Sequence, residues 1–188
     1  MSTVVETRAT IDDLYHVEGK AELIGGRIVE LPGAGHLPSR VTLKILRSID
    51  DYAENRDRGA AYSRTIVFTV PELSSGRESF SPDASYYDGP LPANPMKFIP
   101  GAPTFAVEVR SEGDYGPAAE REMASKRADY FEAGTKVVWD VDPTQKLIHV
   151  YRPDRPDSPT TYGLGQLADA EPALPGWRLA VDSLFPGS

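Results

Sequence analysis

The stretch FAVEVRSEGD, residues 105–114, alternates like a strand yet carries charge at its centre. Phe105, Val107 and Val109 fall on one face at period two, and Ala106, Glu108 and Arg110 on the other. A polar, glycine-containing break follows directly. Two readings fit this local pattern: Glu108 and Arg110 form an exposed ion pair on a solvent face, or they line a cleft.

Working outward, PAAEREMASKRADYFEA (117–133) predicts a helix with Pro117 in its first turn and Gly134 as its stop. TKVVWDVD and KLIHVYRP follow as strands joined by a short turn at DPTQ. Upstream, AYSRTIVFTV predicts one strand closed by Pro71, and SFSPDASYYDG a second with Pro82 near its start. A Pro-rich loop, PLPANPMKFIPGAP, links the second of these to the opening stretch. Nearer the N-terminus, TIDDLYHV predicts a helical turn with Thr10 as a cap. AELIGGRIVEL alternates on both sides of Gly25-Gly26, the pattern of a tight hairpin. SRVTLKILRSIDDYAENR predicts a helix with Val41, Ile45, Ile49 and Tyr52 along one stripe. From residue 153 the tail is rich in Pro, Asp, Gly and Thr, and its isolated apolar residues predict a lid or extra strand packed on the domain. The order of elements predicts an α/β (α+β) fold with a central mixed sheet flanked by helices and preceded by an N-terminal hairpin. The expected organisation is one domain over 1–188, with the helix and hairpin at 1–35, the core at 36–152 and a C-terminal extension at 153–188.

Composition sets bounds on function. A chain of 188 residues is long enough for one substantial core. It has no cysteine, which excludes disulfides, thiolate zinc sites and cysteine nucleophiles. A net charge of −8 opposes a surface devoted to nucleic acid, although a metal-using enzyme can gather its basic residues in one groove. MSTVVETRAT lacks an apolar signal-peptide run, and no segment has the apolar length of a membrane span. A soluble, cytoplasmic protein without membrane partners is the expectation. His16, His36 and His149 lack paired zinc spacing, the GAG before His36 lacks phosphate-loop spacing, and no serine sits in a nucleophile elbow.

Three charges stand where pattern alone would not place them. Asp83 follows Pro82 at the start of a strand, Glu108 lies mid-strand, and Lys126 falls between Met123 and Tyr130 on the apolar stripe of a helix. Singly, each has a plain alternative: a Pro-Asp turn, an exposed ion pair, and a lysine snorkelling out of a packed face. Taken together, they form a constellation suited to magnesium-assisted hydrolysis. Two carboxylates supply hard oxygen ligands and leave positions for water and a phosphate oxygen. The metal lowers the pKa of bound water, and a nearby ammonium orients that water or stabilises the transition state.

The ordered set AELIGGRIVEL, GAGH, SPDASYY, FAVEVRSEGD, KRADYFEAGTKVVWDVDP, IHVYRP and LPGWRLAVDSLF resembles the Uma-two family of restriction-endonuclease-like proteins, within the PD-(D/E)xK nuclease superfamily. The likeness runs from about residue 20 to the C-terminus. It implies a restriction-endonuclease-like core, with Asp83 and Glu108 as metal ligands and Lys126 as the catalytic lysine. It also implies Glu22 as a further ligand, directly or through water, and His36 as a substrate contact. The implied cofactor is Mg²⁺, with Mn²⁺ as a substitute, and the implied substrate is DNA. Cutting both strands of a duplex needs two sites or two visits, which makes a homodimer the expectation although no interface motif is visible. One departure stands out. The superfamily's lysine usually lies two residues after the glutamate, where this chain has Arg110; an arginine keeps the charge but cannot transfer a proton near neutral pH. Lys126 then supplies the function from the helix, with Arg110 contacting the scissile phosphate. The alternatives are a catalytically inactive, dimeric binding or scaffold protein, and a hydrolase of RNA or of a small phosphate ester.

Overall fold

A computed structural model describes residues 8–56 and 58–185. The first seven residues of the segment expected to lack a leader lie outside these. In chain order the elements are α1 (Ile11–Leu14), β1 (Ala21–Ile24), β2 (Arg27–Glu30), α2 (His36–Glu54), β3 (Ala60–Ser63), β4 (Phe68–Thr69), β5 (Ser79–Phe80), β6 (Ala84–Tyr87) and β7 (Ile99–Pro100). They continue with β8 (Phe105–Val109), α3 (Pro117–Glu132), β9 (Val137–Asp142), β10 (Leu147–Arg152), β11 (Arg155–Tyr162), β12 (Leu167–Asp169), β13 (Arg178–Ala180) and α4 (Val181–Leu184).

Six strands form the central sheet in the order β11-β10-β9-β8-β6-β3. Only β8 and β9 run parallel, so the sheet is mixed and the fold is α+β, as the order of elements predicts. A parallel pair needs a crossover connection, and α3 provides it. Because side chains alternate, the two faces of the sheet carry different cores. Phe105, Val107, Val109, Trp139, Ile148 and Val150 pack against Val41, Ile45 and Ile49 of α2 and against the tail residues Leu174, Trp177 and Leu179. The ring centroids of Trp139 and Trp177 lie 5.1 Å apart. On the opposite face Ala106, Val138 and Tyr151 pack with Tyr130 of α3 and with Phe68 and Phe80.

The hairpin β1–β2 turns at Gly25 and Gly26, whose φ values of 59° and 70° suit a tight two-residue turn that L side chains adopt poorly. The tail supplies the edge strand β11, the β12–β13 pair and several core side chains, while Leu164 stays exposed. Among the described residues, no helix is long and apolar enough to cross a membrane.

Three local expectations are corrected. Helix α2 begins at His36, three residues before Ser39, because Pro38 falls in the first turn, where its missing N–H needs no acceptor. AYSRTIVFTV is two strands. A turn in which Ile66 N–H donates to the Ser63 carbonyl carries the chain from β3 in the central sheet to β4 in a second sheet with β5 and β7. SFSPDASYYDG likewise breaks at Pro82-Asp83 into β5 and β6. The Ser81 hydroxyl contacts the carbonyls of Arg64 and Ile66, each 3.0 Å away, and so links the two breaks. Alternation of apolar residues persists through a strand that changes sheets, which is why period two alone did not mark these breaks.

Candidate active site

The break at Pro82-Asp83 sets up the site. Ala84 pairs with Val107, and one further step along the same antiparallel register brings Asp83 opposite Glu108. Asp83 N–H donates to the Val107 carbonyl (3.0 Å), and Val109 N–H donates back to Asp83 Oδ2 (2.9 Å). Like charges placed directly opposite on neighbouring strands repel, so each needs compensation. Each has its own ammonium. Lys20 Nζ lies 2.8 Å from Asp83 Oδ1, and Lys126 Nζ lies 2.8 Å from Glu108 Oε1. Tyr130 donates its hydroxyl to that same Glu108 oxygen at 2.7 Å. The Asp83 and Glu108 side chains remain 15% and 24% exposed, open to the cleft.

Glu22 joins them because β1 is anchored to the segment around β5: Leu23 N–H donates to Ser79 Oγ (2.7 Å) and Glu78 N–H to the Leu23 carbonyl (2.9 Å). The Glu22 carboxylate is buried, and its oxygens are well occupied. Oε1 accepts from Ser81 N–H (2.9 Å) and lies 3.0 Å from Lys126 Nζ; Oε2 pairs with Arg77 Nη1. Arg77 Nε in turn donates to Asp129 of α3 (2.8 Å). Lys126 is therefore held between Glu22 and Glu108.

The protonation states follow from this packing. Burial raises the Glu108 pKa, and Asp83 and Glu22 add to the rise while Lys126 and Lys20 oppose it. Burial also works to raise Glu22, but Lys126 and Arg77 outweigh it and hold the carboxyl below its ordinary value. Burial disfavours the Lys126 ammonium, yet Glu108 and Glu22 override it and push the pKa above the usual lysine range. Lys126 is a fixed cation at neutral pH.

Four of the residues singled out in the sequence thus meet: Glu22, Asp83, Glu108 and Lys126 all line one cleft of about 490 Å³. Arg110 also lines it, but its guanidinium is engaged. Nε and Nη2 each donate to Asp140 at 2.8 Å, and Nη1 and Nη2 donate to Glu120 at 2.5 and 3.2 Å. His36 is exposed at the start of α2 and is not among the side chains lining the cleft. Lys20, Arg77 and Tyr130 were missed as site residues. Lys20 and Arg77 look like ordinary hairpin and loop cations in sequence, and Tyr130 reads as part of the apolar stripe. Arg127 was missed too: it lines the cleft, its Cζ lies 4.0 Å from the Tyr151 ring centroid, and its Nε and Nη1 are buried without hydrogen-bond acceptors.

The donor chemistry suits a small divalent cation held by two carboxylates rather than three. Glu22 is taken up by Arg77, Ser81 and Lys126, whereas Asp83 and Glu108 face the cleft, and Glu108 Oε2 has no hydrogen-bond donor among the described residues. Among the described residues, no group of three or more His, Cys, Asp or Glu side chains is arranged to hold a metal ion. Magnesium is commonly bound by one or two carboxylates plus water and phosphate oxygens, which Asp83 and Glu108 satisfy.

Residues 9–182 match the Uma2 family, described as "Putative restriction endonuclease". The chain belongs to that family. Its fold is shared by the crystal structure of a "putative nuclease belonging to DUF820" from Anabaena variabilis, with a TM-score of 0.73 at 19% identity over 94% of this chain and 97% of that one. No curated protein matches the chain. Uma2 membership and the shared fold agree with the restriction-endonuclease-like architecture implied by the sequence motifs.

Proposed function

We propose that the chain is a divalent-metal-dependent endonuclease that hydrolyses phosphodiester bonds in DNA. The single observation behind this reading is the cross-strand pair Asp83 and Glu108, set opposite each other in a cleft that also holds Lys126. Asp83 and Glu108 would hold the metal, with Mg²⁺ as the natural ion and Mn²⁺ as a substitute. When bound, the ion lowers the pKa of a coordinated water and offsets charge on the phosphate. Lys126, kept protonated by Glu22 and Glu108, supplies fixed positive charge beside the reacting phosphate and orients the attacking water rather than removing its proton. Glu22 holds Lys126 in place. Arg110 acts through Asp140 and Glu120, bracing α3 against β9. A homodimer would present two such clefts to a duplex.

Arg127 is the arginine better placed to receive a substrate phosphate. Its Nη1 is 3.6 Å from Asp140 Oδ2, too long for a hydrogen bond, so the guanidinium has donors to spare, although Nε and Nη1 are buried and would meet a phosphate only after the side chain turns into the cleft it lines. Arg127→Met is expected to raise KM for an oligonucleotide about ten- to a hundredfold, the value of a charge-assisted hydrogen bond or two, with kcat changed far less. Steady-state kinetics on wild type and variant checks this split; an unchanged KM would remove Arg127 from substrate binding.

The rival reading, a non-catalytic dimeric scaffold, is favoured by one observation: five of the six oxygens of Glu22, Asp83 and Glu108 are already paired within the protein. Incubating the chain with labelled DNA, RNA and a generic phosphodiester, each with Mg²⁺, Mn²⁺ or chelator, separates the readings. Metal-dependent cleavage of DNA is expected; preference for RNA or a small ester would change the substrate, and no cleavage of any would favour the scaffold.

A further inference from the structure

The geometry points to Lys20 as an exchangeable counterion, an ammonium that occupies Asp83 until a divalent ion displaces it and that then adds its charge to the binding of the phosphodiester. This inference rests on the metal site proposed above.

Lys20 immediately precedes β1, and its carbonyl accepts from Leu31 N–H at 2.8 Å, so its backbone is fixed by the hairpin. Its side chain is only 9% exposed and reaches 2.8 Å from Asp83 Oδ1. That oxygen belongs to the carboxylate that would have to turn to a metal, since Oδ2 is held by Val109 N–H. Lys20 has no other ion-pair partner among the described residues, in contrast to Lys126, which spans Glu22 and Glu108. Such a single contact on a flexible four-carbon stem is the easiest in the cluster to release.

Charge balance gives the exchange a consequence. Glu22, Asp83, Glu108 and Asp129 face Lys20, Arg77 and Lys126, so the inner cluster carries one net negative charge. A divalent ion at Asp83 and Glu108 turns this into one net positive charge, that of the displaced Lys20 facing the cleft, while Lys126 keeps Glu22. A chain with net charge −8 then acquires a local cationic site only once metal is bound. Metal and phosphodiester should therefore strengthen each other's binding, since such coupling is reciprocal.

Calorimetric titration of the full chain with Mn²⁺ alone tests the exchange without relying on activity. Lys20→Met and Lys20→Gln are expected to bind Mn²⁺ about tenfold more tightly than wild type, because the competing cation is gone and the pair is less screened than a surface ion pair. Lys20→Arg, which keeps the charge, should bind no more tightly than wild type. Tighter binding by the uncharged variants, including binding where wild type shows none, supports the exchange. Equal or weaker binding by folded Lys20→Met and Lys20→Gln overturns it while leaving the metal site of wild type intact. Absence of Mn²⁺ binding by every protein at millimolar metal overturns both the exchange and the metal site. A second measurement needs no variant: acetylation of Lys20 by acetic anhydride, followed by mass spectrometry, should rise severalfold on saturation with Mg²⁺ as the ammonium leaves Asp83. Unchanged labelling of Lys20 at metal saturation would also overturn the exchange.

Discussion

Asp83→Ala is expected to lose metal-dependent DNA cleavage by about 10³-fold or more while remaining folded. Metal assistance contributes several kcal/mol to phosphodiester hydrolysis, and each 1.36 kcal/mol is tenfold in rate. The substitution removes one of the two carboxylates proposed to hold the metal and leaves Lys20 without its partner. It also removes the acceptor for Val109 N–H, a loss of about 1–3 kcal/mol if that donor is left unpaired. For a chain of this length that corresponds to a Tm lower by about 2–12 °C, still a cooperative fold. Glu108→Ala should behave alike in cleavage. Rate measurements on labelled duplex, paired with circular-dichroism melts, test both; a variant that cuts at the wild-type rate removes its residue from the active site.

Glu22→Ala should show the opposite balance, a large loss of stability. Glu22 is buried and accepts from Ser81 N–H, Arg77 and Lys126 at once. Deleting it strands two cations, one of them, Arg77, within a cluster that also holds Asp129. Breaking a buried ion pair from one side costs about 3–5 kcal/mol, and here the neighbouring Asp129 and Glu108 absorb part of the cost. A Tm about 6–20 °C below wild type is the expected melt. Glu22→Gln, which keeps an acceptor for Ser81, should fall less. If Glu22→Ala melts with wild type yet loses metal affinity, Glu22 is a ligand and not the support of Lys126.

The sequence made the architecture legible wherever periodicity was long. The stripe of Val41, Ile45 and Ile49, the alternation of Phe105, Val107 and Val109, and the glycine pair at 25–26 each have one physical solution, and the structure adopts it. The second sheet was not legible, because two-residue strands such as β4, β5 and β7 bury too little pattern to stand out. At the site, Asp83, Glu108 and Lys126 were visible because each charge interrupts an apolar pattern. Period two placed Glu108 and Arg110 on one side, and both do line the cleft, but it could not reveal that Asp140, from a strand thirty residues on, would claim the guanidinium. Lys20 and Arg77 carry no local signal at all, since their roles arise only from where the hairpin docks.

Titrating Mn²⁺ or Mg²⁺ into the wild-type chain and into Asp83→Ala and Glu108→Ala tests the shared metal site most directly. One bound ion per wild-type chain is expected, with affinity lost in both variants while their folds persist. No binding at millimolar metal to wild type or to Lys20→Met, or binding unchanged in both carboxylate variants, would contradict a metal centre at Asp83 and Glu108.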